Sequence, residues 1–346
     1  LGQTAATATV EMAGYEPTGQ VASSAMHAVE THDLVKTYGE TRALDGLSLV
    51  MPQGSILGVL GPNGAGKTTA VKVLTTLTSA DSGTALVDGI DVAANPSAVR
   101  ARIGLTGQYA AVEERMTARE NLEYVARLFH MPTAKAKQRA TELLARFDLT
   151  DAADRIVNGY SGGMRRRLDI AMSLIARPTV LFLDEPTTGL DPRSRLAMWD
   201  LIEELGHDGT TTFLTTQYLD EAEALADSIV VIDHGRVIAE GTADQLKDRI
   251  GGDRLIVTIA SMANVAKAAD ALESLATGPI ETASTKPELT VPIRVGKGAV
   301  PTAIRTLDDC RCDVVDVELH RPSLDDVFLA LTGHAAEVPE ANGEGS

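Results

Sequence analysis

The sequence predicts an α/β protein: a large domain of strands and helices interleaved about a sheet, with a helical subdomain inserted in it, followed by a small α+β domain. Three observations lead there. From about residue 28 to residue 250, short apolar runs alternate with longer amphipathic stretches, as they do where strands and helices build around a sheet. From about 117 to 149 the pattern turns continuously helical. After Gly251-Gly252 the chain changes character again.

Residues 55–60 read as a buried strand and 66–77 as the helix after it. Stretches 179–183, 211–215 and 229–233 read as further buried strands, being apolar runs suited to a sheet covered on both faces. Between them, 118–129 and 134–147 carry apolar residues at three-to-four spacing, which makes them amphipathic helices of a subdomain spanning about 109–165. Beyond 251 the order is strand 254–260, helix 263–275, strands 280–284 and 288–295, helix 299–308 and strand 312–319. That β-α-β-β-α-β order is ferredoxin-like. A short helix, 323–331, would close this domain. The organisation expected is thus a large domain over 30–250 and a small one over 251–333. A flexible segment over 1–29, rich in Ala, Thr, Gly and Ser, precedes them, with Met12 or Met26 as conceivable natural starts. An acidic, glycine-bearing tail over 334–346 follows.

Composition narrows the function. At 346 residues the chain exceeds one typical domain, and 44% hydrophobic with 23% charged residues supplies an ordinary packed core. A formal net charge of -17, with no basic patch against it, opposes a nucleic-acid partner. Apolar runs such as 180–183 and 229–232 fall far short of the roughly 20 residues that span a bilayer. The two cysteines, Cys310 and Cys312, form one C-x-C pair with no second pair to complete a zinc site, and read as packed, reduced thiols. The first residues lack the basic and apolar regions of a secretion signal.

The chemistry begins at Gly61-Pro62-Asn63-Gly64-Ala65-Gly66-Lys67-Thr68-Thr69, a G-x-x-x-x-G-K-[ST] loop between a predicted strand and a predicted helix. Its glycines let backbone N–H groups turn inward around a polyphosphate, and the helix N-terminus adds its positive end. Lys67 would reach the β- and γ-phosphates, and Thr68 would offer a hydroxyl to Mg²⁺. The strand 180–183 ends in Asp184-Glu185, where Asp184 would hold Mg²⁺ and Glu185 would act as general base on the attacking water. A strand ending in two acids is common by itself; the upstream loop gives this one its meaning. Tyr160-Ser161-Gly162-Gly163-Met164-Arg165-Arg166-Arg167 opens a further helix, either as a second anion site or as an ordinary serine-capped start. Of the three arginines, pointing around much of the helix, at least one is expected to pair with a carboxylate rather than with nucleotide.

The order of these motifs resembles the nucleotide-binding domain of ABC transporters, and within it the daunorubicin-resistance-type drug-export ATPases. The likeness, from about residue 35 to the end of the small domain, includes Thr106-Gly107-Gln108-Tyr109 and the stretches 160–168, 184–193, 215–221, 233–242 and 323–333. It implies a P-loop ATPase that binds ATP and Mg²⁺, with Tyr38 stacked on adenine. Gln108 would sense Mg²⁺ and the γ-phosphate. Ser161, Gly162 and Gly163 would close over the nucleotide of a second copy, and Asp191 would line the interface between copies. The stretch 112–116 lies where the family receives its membrane subunit, and otherwise reads as a solvated loop. The resemblance also implies a separate transmembrane permease, a place on the cytoplasmic face of the membrane, and export of a hydrophobic or amphipathic drug or lipid. Two departures stand out. Met164 and Tyr160 replace commoner signature residues, and Gln217 occupies the place of a switch histidine, where an amide can donate a hydrogen bond but cannot shuttle a proton. Two rivals are weaker. A nucleic-acid or ribosome ATPase is opposed by the single cassette and the acidic balance, and a subunit that binds ATP without useful hydrolysis has only Gln217 in its favour.

Overall fold

The computed structural model describes residues 27–108, 110–249, 253–283, 285–293 and 298–332. The tail expected at 334–346, the Gly251-Gly252 junction and residues 1–26 lie outside these. Along the chain come β1 (His27–Tyr38), β2 (Thr41–Pro52), β3 (Ile56–Leu60), α1 (Lys67–Leu74), β4 (Ser82–Val87), β5 (Ile90–Asp91), α2 (Pro96–Arg100) and β6 (Ile103–Thr106). The inserted helices α3 (Ala118–Leu128) and α4 (Thr133–Arg146) lead to α5 (Gly162–Ser173). Then follow β7 (Val180–Asp184), α6 (Pro192–His207), β8 (Thr211–Thr216), α7 (Leu219–Leu225), β9 (Ser228–Asp233), β10 (Arg236–Gly241) and α8 (Ala243–Arg249). The small domain has β11 (Arg254–Ile259), α9 (Val265–Leu272), β12 (Glu281–Thr282), β13 (Glu288–Pro292), α10 (Ala299–Asp309) and β14 (Val314–His320), and the last helix is α11 (Leu324–Thr332).

The central sheet runs β10-β9-β3-β8-β7-β6, parallel except at the β10 edge. Every residue of β3, β7 and β8 is buried, because helices and a second sheet cover both faces. That second sheet, β2-β1-β4-β5, is antiparallel. It was not separable in the sequence from the strands of the first. It also corrects the expected flexible segment over 1–29: the ordered strand starts at His27, and Ala28 and Val29 are fully buried. Val29 sits between β2 and β4, paired to both, and the Ala28 carbonyl accepts from the Asp88 amide.

The helix after β3 stops at Leu74, short of the expected 77. Thr76 turns left-handed at φ 64°, and the Leu77 amide reaches back to the Lys72 carbonyl, the closure that ends a helix in a Schellman turn. The small domain's sheet, β12-β13-β11-β14, is antiparallel and places its first strand between its third and fourth, as a ferredoxin-like fold requires. In β11 burial alternates, with Leu255, Val257 and Ile259 facing the core.

Helix α11 departs from expectation. It does not close the small domain. Leu324, Val327 and Phe328 instead enter a core with Leu60, Leu219, Ala222 and Leu246 of the large domain. A mutual bond of Ser323 and Asp326 caps the helix, and its three-to-four apolar stripe meets α7 and α8.

Candidate nucleotide site

The phosphate loop lies at the end of β3, where the central sheet stops and α1 begins. Gly64 and Gly66 have φ of 82° and 111°, a region open to glycine and strained for most other residues. At Gly61 a Cβ would lie 2.3 Å from the Ile232 carbonyl oxygen, and at Gly66 2.5 Å from that of Ala43. The loop therefore needs glycine for space as well as for torsion. Lys67 is 4% exposed. Its Nζ donates to the carbonyls of Gly61, at 2.7 Å, and Pro62, at 3.2 Å, and stands 3.4 Å from Glu185 Oε1.

Strand β7 delivers the two acids to the same place. Thr68 Oγ1 donates to Asp184 Oδ1 at 3.3 Å, and Thr215 Oγ1, at the end of β8, donates to the same oxygen at 2.6 Å. Glu185 is 7% exposed and sits at φ 49°, a left-handed conformation costing a non-glycine residue about 1 kcal/mol or more. Its amide donates to Thr215, and Thr188 Oγ1 donates to its Oε2 at 3.3 Å. The structure thus brings together the loop, Lys67, Thr68, Asp184 and Glu185. Hydroxyl and carboxylate oxygens at one point are the hard donors that Mg²⁺ takes, so Thr68 and Asp184 fit that ion. Gln217, just past β8, is half-buried, and its Oε1 is sheltered with no hydrogen-bond partner among the described residues. Turning the terminal amide over would present its donors there instead.

The remaining predicted residues lie apart or open to solvent. Tyr38, at the end of β1, is 47% exposed, with Lys36 Nζ 5.5 Å from its ring centroid. Gln108, after β6, is exposed. Ser161 caps α5, accepting from the Met164 amide at 3.3 Å. Asp191 caps α6, accepting from the Ser194 amide and hydroxyl, which hold its carboxyl below the usual range. Gly162 is exposed and Gly163 buried; a Cβ on Gly163 would come 2.9 Å from Ser194 Oγ, so glycine is what lets the two helix starts touch.

The signature's departures acquire reasons. Tyr160 is buried and donates its hydroxyl to the Ala152 carbonyl at 2.6 Å, so it pins the inserted helices to α5. All three arginines have acidic partners: Arg165 with Glu114, Arg166 with Asp169, and Arg167 with Asp148. The residues sequence reasoning missed are Thr215, Thr188 and a triad in which the buried Glu221 accepts from the buried Thr187 Oγ1 and from Nε1 of the half-buried Trp199. Burial pushes the Glu221 carboxyl up. Only a Thr-rich strand hinted at Thr215, since nothing in a strand's own pattern shows which neighbour its hydroxyl will meet.

Among the described residues no helix is long and apolar enough to cross a membrane. Residues 44–188 match the family described as ABC transporter. The chain is 54% identical to the daunorubicin resistance ATP-binding protein DrrA2 of Streptomyces coeruleorubidus, over 91% of its own length and 98% of that protein's. Among solved structures it is similar to cbiO1 from Clostridium perfringens, described as part of the ABC transporter complex cbiONQ, with a TM-score of 0.60, 26% identity and 64% of this chain covered against 90% of that one. It is also similar to the ATP-binding cassette MJ0796 in a dimeric post-hydrolysis state bound to ADP and Pi, with a TM-score of 0.56, 27% identity and 62% of this chain covered against 98% of that one. A phosphate loop closing on two acids, in a chain this similar over nearly its whole length to a drug-resistance protein, places it in a family: it belongs to the ATP-binding subunits of ABC transporters, in the daunorubicin-resistance group.

Proposed function

We propose that the chain hydrolyses ATP and uses binding and hydrolysis to drive export of a hydrophobic or amphipathic drug or lipid through a separate transmembrane permease. The observation that carries this reading is the convergence of Lys67, Thr68, Asp184 and Glu185 at the mouth of β3 and β7. In this proposal the loop amides and Lys67 hold the β- and γ-phosphates, with Lys67 exchanging its carbonyl and Glu185 contacts for phosphate oxygens. Thr68 and Asp184, with Gln108 joining them, would hold Mg²⁺, which when bound would supply charge neutralisation for the phosphates. Glu185, released from Lys67, takes the proton of the attacking water. Gln217 donates to the γ-phosphate through its amide, and Tyr38 stacks on the adenine.

The solvent-facing Ser161, Gly162 and Asp191 support a site completed by a second copy of the chain, as does the likeness to a dimeric cassette bound to ADP and Pi. A surface hollow lined by Val112, Glu113, Glu114, Arg115, Ile156 and Asn158 supports docking of the permease at the stretch singled out in the sequence. That docking would hold the chain at the cytoplasmic face of the membrane. The test is ATP hydrolysis in membranes holding this chain with and without its permease, beside Glu185→Gln. Activity that needs both Glu185 and the permease is expected; activity indifferent to the permease would overturn the coupling.

A further inference from the structure

We propose that Arg166 and Asp169, on the first turns of α5, are positioning residues that lock the backbone of Glu185 and the loop carrying Gln108 into one unit. The inference rests on the ATPase reading of the site. It arises from an accounting of one buried guanidinium. Arg166 is 5% exposed, and each of its five N–H groups has an acceptor. Nε donates to the Pro186 carbonyl at 2.8 Å. Nη2 donates to the carbonyls of Asp184, at 3.2 Å, and Glu185, at 3.1 Å. Nη1 donates to the Gly107 carbonyl and to Asp169 Oδ2. Asp169, also buried, accepts the Ala111 amide on Oδ1 at 3.0 Å.

The pair therefore holds Gly107 and Ala111, on either side of Gln108, and three consecutive carbonyls at the end of β7. Both side chains of the pair are themselves shut away from solvent. Glu185 is in a left-handed conformation that its surroundings must enforce, and Arg166 is bonded to its carbonyl and to those of both its sequence neighbours. A fork of five donors fixes planar carbonyls in a way that the compact ammonium of lysine cannot. Because the same side chain grips Gly107, a shift of the Gln108 loop would disturb the backbone of the general base, and the reverse. Arg166 touches neither nucleotide nor water in this account; it acts through Glu185 and Gln108.

The experiment measures ATP turnover by the full complex of this chain and its permease in membranes, with ATP binding and thermal midpoint recorded for each variant. Arg166→Lys keeps the charge and loses the fork. Its kcat should fall about tenfold or more while KM for ATP stays within about twofold, and stimulation by the permease should shrink in parallel. A folded Arg166→Lys protein with kcat within about twofold of wild type would overturn the proposal. So would a variant that changes KM alone. Should that variant not fold, the double change Arg166→Met with Asp169→Leu removes the pair as a unit and keeps the packing, as apolar replacement of buried ion pairs allows. It should fold and turn over slowly, and normal turnover would again overturn the idea. Wild type and Glu185→Gln run alongside separate the two levels: if wild type is inert or indifferent to Glu185, the ATPase reading itself has failed.

Discussion

The phosphate loop with the end of β7 and the starts of α5 and α6 are both built to present polar groups, yet they are finished differently. In the first, Lys67, Asp184 and Glu185 are all buried and every one is held by named partners of the same chain. In the second, Ser161, Gly162 and Asp191 face solvent, and their capping bonds serve only their own helices. A buried charge without a partner is costly, so the first region had to be completed within the chain. The second is stable as it stands and remains free to meet something else. The difference separates residues whose loss should damage chemistry in a single chain from residues whose loss should show only on assembly.

Substitutions can break or sharpen that contrast. The largest effect is expected from Glu185→Gln, which removes the proposed general base. Turnover should drop by about a thousandfold, within the range such bases contribute, while ATP stays bound. Phosphate release with radiolabelled ATP reads this, and brisk turnover would remove Glu185 from its role. Next comes Lys67→Ala, expected to weaken ATP binding by about a hundredfold as charge-assisted bonds to phosphate are lost. Equilibrium binding of a fluorescent ATP analogue measures it. In the exposed region Ser161→Ala should cost about 1 kcal/mol of stability as a lost cap, visible in chemical denaturation. It should leave single-chain ATP binding unchanged and lower turnover of the assembled complex. If it weakened binding in the isolated chain instead, the contrast between the two regions would collapse.

The smallest effect is in pH. Burial pushes Asp169 up to about 6 from an ordinary value of 3.8, so between those values the folded chain holds a proton that the unfolded chain has released. Stability from this group therefore falls as pH rises through that window. Asp191 has the opposite sign: its carboxyl is lowered by Ser194, so its contribution is present above 3.8 and is lost on acidification through its folded value. Thermal midpoints from pH 4 to 7 should show Asp169→Asn gaining on wild type as pH rises. Asp191→Asn should fall behind only while pH rises toward 3.8, so its deficit is already complete at pH 4 and stays constant to pH 7.

Much of this was legible in one dimension. The loop 61–69 identifies itself because its glycines and lysine are adjacent in sequence, and the strands that are apolar on both faces announced a covered sheet. The sequence by itself determined the phosphate loop, the inserted helices and the ferredoxin-like order of the small domain, since each depends on local spacing or on burial pattern. Only the tertiary structure decided that Thr215 would share an oxygen of Asp184 with Thr68, that Arg166 would spend its donors on the carbonyls around Glu185, and that α11 would join the core of the large domain. Those choices link residues tens to hundreds of positions apart. No periodicity records them, because a hydroxyl, a guanidinium or an apolar stripe declares what it can bond or bury but not which partner the folded chain will bring to it.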